Sequence, residues 1–322
     1  MESPLGAHRL FILWMMSVPL VMGVIYGHGA YNIIRDIIPI ALLALPIIVP
    51  TVNSKHLMIT LSAAGALFAA RYLFHALPDI MNIGLSPVHD SLLYLANSPL
   101  VPFTCITGFA LLFSPDTKPF YYRVIGFALF AITTTAMALM VQRAPLILCA
   151  IGCLGIMAVR TTHTPLKTSI IATILLFISI PFMTIAFQIG DGLIEKTITV
   201  GANNRIDEII AALSHTTLFG HGWGMEWQSP AVADYWVRYT HNMTTYYWLK
   251  AGVIGAALSI LFIYIWIRET VILTRHNLAI GIAIIISISI HFFLYTGYKT
   301  FDISLLLALI ISCKRDRHLS SS

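Results

Sequence analysis

FYYRVIGFALFAITTTAMALMVQRAPLILCAIGCLGIMAVR, residues 120–160, is the stretch on which the fold turns. It holds two apolar runs, 120–141 and 144–160, divided only by the tight turn QRAP. Each run approaches the ~20 residues that an α-helix needs to span a hydrocarbon core of roughly 30 Å, whereas barrel strands are short and alternate in polarity. These runs do not alternate, so they read as two membrane helices.

The rest of the chain repeats the pattern. Of 322 residues, 58% are hydrophobic and 10% charged, with a mean hydropathy of +0.83. Soluble domains carry roughly 25% charged residues. The composition predicts an all-α polytopic membrane protein, one membrane domain over 1–322 with ten spans: 10–27, 33–50, 56–77, 98–114, 120–141, 144–160, 167–189, 242–267, 276–297 and 301–313. Residues 78–97, PDIMNIGLSPVHDSLLYLAN, read as a loop with a short interfacial helix. The first apolar run lacks a small-residue cleavage site and more spans follow at once, so it reads as a retained helix rather than a removable signal peptide.

Orientation follows from the basic residues, because short cytoplasmic loops retain Lys and Arg. With the amino terminus inside, Arg9, Lys55, Lys118, Arg123, Arg160, Lys167, Arg268, Arg275, Lys314, Arg315 and Arg317 fall on the cytoplasmic side, out of 19 Lys and Arg in all. Both termini are then cytoplasmic. The net charge of +5 is accounted for by this bias and argues for no nucleic-acid partner. Cys105, Cys149, Cys153 and Cys313 lie in or beside spans, with no ligand set for a metal around them, and read as packing residues.

Eight basic residues remain on the other side: Arg35, Arg71, Arg143, Lys196, Arg205, Arg238, Lys250 and Lys299. Ionisable groups at membrane depth mark functional sites by default. Arg35 adjoins Asp36, which leaves a local ion pair open for it; Arg71 one turn before His75 suits headgroup contact, and Lys250 reads as a snorkelling side chain. Arg143 has no acid nearby in its tight turn. Several arginines gathered at one face suit a phosphate-bearing lipid, since a planar guanidinium binds phosphate oxygens through paired hydrogen bonds.

One hydrophilic segment, 190–241, stands out as a loop far longer than the usual helix connection. Within it Asn204 is placed to cap a short amphipathic helix, with Asp207 and Glu208 in its first turn and Ile206, Ile209, Ile210 and Leu213 at helical spacing. That apolar face is expected to lie on the bundle or on the membrane surface. LFGHGWGMEW follows, where Gly220, Gly222 and Gly224 end the helix and permit close backbone approach around His221 and Trp223. No strand precedes these glycines, so a dinucleotide site is excluded. Trp223, Trp227, Tyr235, Trp236 and Tyr239 either stack on sugars or form an ordinary interfacial belt. His241 ends the loop at the lip of the next span, where a proton acceptor at neutral pH meets lipid-borne substrate.

Three segments together resemble the O-antigen ligase and polymerase superfamily of bacterial inner-membrane glycosyltransferases. They are His241-Asn242 followed after nine residues by Gly252-Val253-Ile254-Gly255, the loop sequences NNRIDEIIAAL and LFGHGWG, and QRAPLILCAIG. The resemblance covers residues 140–260, and the chain has fewer spans than the family usually carries. It implies a metal-independent C-type glycosyltransferase with no cofactor, acting at the periplasmic face of the inner membrane. The donor it implies is a glycan on undecaprenyl diphosphate, and the acceptor lipid A-core, as in lipopolysaccharide biosynthesis. Carried to matching positions, Arg143 and Arg205 hold the diphosphate, His241 activates the acceptor hydroxyl, and Asn242 is its neighbour in the substrate site. Arg35, Arg71 and His221 join the substrate-binding set from position and charge alone, and Trp223 as an aromatic face for a sugar. The spacing after His241 favours a ligase; a polymerase that joins lipid-linked repeats is the alternative. A lipid or glycan transporter is a third reading, against which stands the absence of an internal repeat. The paired glycines are expected to let their helix pack closely and so set the height of His241.

Overall fold

The computed structural model describes residues 4–48, 52–83, 97–113, 119–140, 143–163, 203–232, 236–295 and 300–321. The chain is a mostly helical membrane protein. Its described helices are α1 (Pro4–Ile25), α2 (Ala30–Leu43), α3 (Leu45–Ile48), α4 (Ser54–Ile83), α5 (Leu100–Leu112), α6 (Tyr121–Leu139), α7 (Arg143–His163), α8 (Asn203–Ser214), α9 (Met243–His276), α10 (Leu278–Phe293) and α11 (Phe301–Ser321). Five segments are long and apolar enough to cross a membrane: Leu5–Ile25, Ala30–Ile47, Ser54–Ala76, Tyr121–Leu139 and Met243–His276. Shorter apolar helices cover Leu100–Leu112, Ala144–Val159 and Leu278–Phe293. The expected span 167–189 lies outside the described residues. Helix α4 continues through Pro78 to Ile83, so the first residues of the expected 78–97 loop are helical.

Contacts group the chain into two compact units, one of Met58–Thr199 with Thr274–Ser287, the other of Met1–Leu57, Val200–Leu273 and Ile288–Ser322. In the first, α5 and α6 cross at glycines. A Cβ on Gly126 would stand 2.6 Å from the backbone nitrogen of Leu112, and one on Gly108 would stand 2.8 Å from that of Phe130. Small residues permit this approach where burial gives helices little reason to associate in lipid. Polar bonds reinforce the unit: Thr104 donates to the Ser62 carbonyl at 3.1 Å, and the Ser62 and Thr107 hydroxyls pair at 3.2 Å. All four cysteines are free and buried, as packing residues are expected to be.

In the second unit His8 ties three helices together. Its Nε2 lies 2.7 Å from the Leu43 carbonyl, and its Nδ1 accepts from the Trp266 indole at 3.2 Å, which places the proton on Nε2. Around it Phe11, Phe262, Trp266 and Tyr247 make a buried aromatic cluster.

The same unit contains a break that shapes everything near it. Helix α9 is interrupted at Gly252, whose φ of 69° and ψ of −166° are open only to glycine. The break exposes carbonyls that the Gly-rich turn after α8 takes up: His221 N–H donates to Leu249 O at 2.9 Å and Gly222 N–H to Lys250 O at 2.9 Å, while Val253 N–H donates to Thr217 O at 3.0 Å. A Cβ on Gly252 would meet Leu218 O at 2.3 Å. Gly252 therefore opens a helix so that a loop can dock into it, while a Cβ on Gly255 would stand 3.5 Å from the Met15 side chain of α1.

Helix α1 receives the other side of the turn. Pro19 has no N–H, so Met15 O lacks its usual helical donor. The Trp223 indole supplies one at 2.8 Å, and Trp223 N–H donates to Pro19 O at 2.9 Å. Asp36 of α2 completes the anchorage by accepting from Gly224 N–H at 2.9 Å and from Lys250 Nζ at 2.8 Å. Lys250 is therefore buried in an ion pair, not extended towards headgroups, and Asp36 turns inward instead of pairing with the exposed Arg35.

Candidate functional site

Helix α8 buries the side that its sequence periodicity marks as polar. Glu208 and Ala212 are 1% and 0% exposed, whereas Ile206, Ile210 and Leu213 are 55%, 61% and 41% exposed. Ala212 is small enough to seat against Met225, Trp227 and Leu249. That contact brings Glu208 down onto the segment preceding α9. Asn204 lies inside the first turn of α8 rather than before it, so the expected cap is displaced.

A buried carboxylate requires hydrogen bonds, and Glu208 has them. Its Oε1 accepts from the Ser229 hydroxyl at 2.9 Å, its Oε2 from the His241 backbone N–H at 2.9 Å, and both oxygens lie 3.1 Å from His241 Nδ1. A two-stranded antiparallel ribbon delivers these partners: β1 (Trp227–Gln228) pairs with β2 (Trp236–Val237), holding Ser229 after the first strand and His241 shortly after the second. The Trp227 indole donates to Tyr239 O at 3.1 Å, and Arg238 pairs with Glu226 across the ribbon. Asn242 then starts α9, its Oδ1 accepting from Thr244 N–H at 2.8 Å and Thr245 N–H at 3.3 Å. This is a helix N-cap, and it fixes the residue next to His241.

His241 is thereby held at backbone and ring by one carboxylate. With Nδ1 facing Glu208, its proton lies on that side, and Nε2 is engaged by no described residue. The Tyr239 ring meets the imidazole edge-on at 5.6 Å between centroids. One turn before Glu208, Arg205 has a buried Nη1 with no hydrogen-bond partner among the described residues. Burial lowers the guanidinium pKa from its ordinary value, opposed chiefly by the charge of Glu208. Burial likewise raises the carboxyl of Glu208, against the Ser229 hydrogen bond and the charge of Arg205. An unsatisfied cationic donor can bind an anion, and an imidazole oriented by the carboxylate one helical turn from it can accept a proton from a hydroxyl. Among the described residues no group of three or more His, Cys, Asp or Glu is placed to hold a metal ion.

The other expected residues are distributed differently. Trp223 is fully buried against α1, so it has no face to offer a substrate. His221 packs between Tyr26 and His215, with its backbone carbonyl 2.9 Å from His28 Nε2. Arg35 is exposed on α2. Arg71 is exposed on α4, and Arg143 begins α7, its side chain outside the described set; both belong to the other compact unit. Of the aromatic group, Trp227 is buried, Trp236 is largely exposed, and Tyr235 lies outside the described residues. No family model matches the chain, and no curated protein or solved structure is similar to it at a level that argues kinship.

Glu208 is the residue that sequence reasoning passes over. In the sequence it reads as one of two acids in a helix's first turn, a common position that complements the helix dipole, but α8 begins at Asn203 and its first turn holds no acid. Its distinguishing signal is its place in the i, i+3 row with Arg205, on the face away from the isoleucines.

Proposed function

We propose that the protein is a membrane glycosyltransferase that moves a glycan from undecaprenyl diphosphate to an acceptor hydroxyl at the periplasmic face, acting as an O-antigen ligase with lipid A-core as acceptor. The observation that carries this reading is the His241 ring held 3.1 Å from both oxygens of a buried Glu208, with the unsatisfied Nη1 of Arg205 one helical turn away. His241 Nε2 takes the proton of the acceptor hydroxyl as its oxygen bonds to the anomeric carbon. The bond from that carbon to the diphosphate oxygen breaks, and the diphosphate leaves with the electron pair. Arg205 stabilises the charge that gathers on it, the kind of electrostatic help that dominates many transfer reactions. Glu208 keeps the imidazole in one tautomer and balances the imidazolium that forms. Trp236 and Tyr239 remain as the aromatic faces next to this segment.

Deleting the gene and examining lipopolysaccharide on a gel tests the reading. Core without any O-antigen, with polymer retained on the lipid carrier, is the expected result. Core bearing a single repeat makes the protein a polymerase, and unaltered lipopolysaccharide removes both.

A transport reading is favoured by one observation, the helix break at Gly252 beside the buried pair of Asp36 and Lys250, because transporters use interrupted helices around intramembrane charges. Glycan-lipid movement across proteoliposomes in the absence of acceptor distinguishes it from group transfer.

A further inference from the structure

Helix α8 presents a stripe of Ile206, Ile210 and Leu213 that no described residue covers, although the helix is amphipathic and sits between membrane spans. Around the helix axis these side chains recur at i, i+4 and i+7, on one line, while Glu208 and Ala212 occupy the face that packs on the protein. Apolar exposure resumes beyond the end of α8. Leu218 and Phe219 of the following turn are also exposed, and the Phe219 ring stacks on Trp14 of α1 at 6.4 Å between centroids. On α1, Leu10 and Leu13 are exposed in turn, on a helix long and apolar enough to cross the membrane. Past the exposed polar residues Ser214, His215 and Thr216 the apolar exposure thus resumes and meets, through Phe219 and Trp14, a helix made for hydrocarbon.

We propose that α8 lies in the plane of the bilayer interface, with Ile206, Ile210, Leu213, Leu218 and Phe219 inserted in lipid. Its polar side then faces the protein and the water. The docked turn fixes its depth, since His221 and Gly222 are bonded to α9 and Trp223 to α1. Interfacial helices commonly carry basic residues that draw them to anionic headgroups. Helix α8 carries only Arg205, and that side chain is half-buried, so the seat rests on apolar insertion and on the tether to two spans rather than on surface charge. Arg205 is thereby held at headgroup depth, where a lipid phosphate lies. This seat stands or falls separately from the glycosyl-transfer reading.

Spin labelling decides it. Cysteine is introduced at Ile210 in one variant, at Leu213 in a second and at Asp207, which is exposed on the polar flank, in a third. Each is labelled with a nitroxide and reconstituted into phosphatidylcholine vesicles, with the unsubstituted protein as the blank for the four buried native thiols. Collision with oxygen, which concentrates in hydrocarbon, is compared with collision with a water-soluble nickel chelate. Labels at Ile210 and Leu213 are expected to show an oxygen-to-nickel ratio several-fold above that of Asp207. Equal access of the nickel chelate to all three sites overturns the proposal. Shielding of Ile210 and Leu213 from both reagents overturns it too, since it means that protein covers the stripe. None of these readings depends on transfer activity.

Discussion

Lys250 Nζ of α9 lies 2.8 Å from Asp36 Oδ2 of α2, and the two side chains are 1% and 3% exposed. A pair removed this fully from water stabilises only while both members are present, because breaking it leaves a buried charge uncompensated. Lys250→Met alone is expected to lower stability by about 3–5 kcal/mol. Lys250→Met with Asp36→Leu should recover part of that loss but not all, since Gly224 N–H also donates to Asp36. Thermal unfolding in detergent measures both; a single variant as stable as wild type would contradict the pair's role.

Gly252→Ala is expected to undo the docking of the Gly-rich turn. Its backbone conformation is one that only glycine adopts, and the added methyl would meet the backbone of Leu218 and Gly220. Limited proteolysis around residues 217–224 should accelerate. Gly6→Ala, in a helix with nothing within 4 Å of the new carbon, is the control, and it should leave stability unchanged or raise it by up to about 1 kcal/mol.

Glu208→Gln keeps the shape of the side chain and removes the charge that orients His241. If His241 is the base, kcat should fall by about 10²–10⁴ with little change in KM. A structural role alone would instead appear as lower stability with kcat intact. Transfer assays on purified, folded variant separate the two outcomes, and His241→Ala combined with Glu208→Gln should be no worse than His241→Ala alone.

Burial lowers the pKa of His221 from its ordinary value of about 6.5, with the nearby His215 and His28 acting in the same direction and a hydrogen bond to the His215 backbone opposing. A depressed histidine contributes stability that is complete above its unfolded pKa and is lost as pH falls through the lower folded value. The wild-type protein should therefore lose stability on acidification below about pH 6.5, by more than His221→Gln does. Melting temperatures of the two proteins across that range give the comparison, and parallel curves would exclude His221 as the source.

Hydropathy alone specified a helical membrane protein, because long, predominantly apolar runs such as those flanking QRAP have one stable backbone arrangement in lipid, and that requirement is local. It also marked Arg205, as a basic residue on the non-cytoplasmic side, and His241, at the end of the long polar loop. Only the tertiary structure decided what surrounds them. The carboxylate of Glu208 and the imidazole of His241 are 33 residues apart, and their meeting depends on a ribbon and on the burial of Ala212, neither of which has a periodic signature. The same is true of Lys250 and Asp36, 214 positions apart, where the nearest sequence neighbour suggests the wrong partner for the acid. Local rules gave α8 an apolar face and directed it to the bundle or the membrane; the bonds available to Glu208 turned the opposite face inward. Gly252 was legible as glycine and not as a break, since a positive φ becomes necessary only when another segment needs the carbonyls that the break releases.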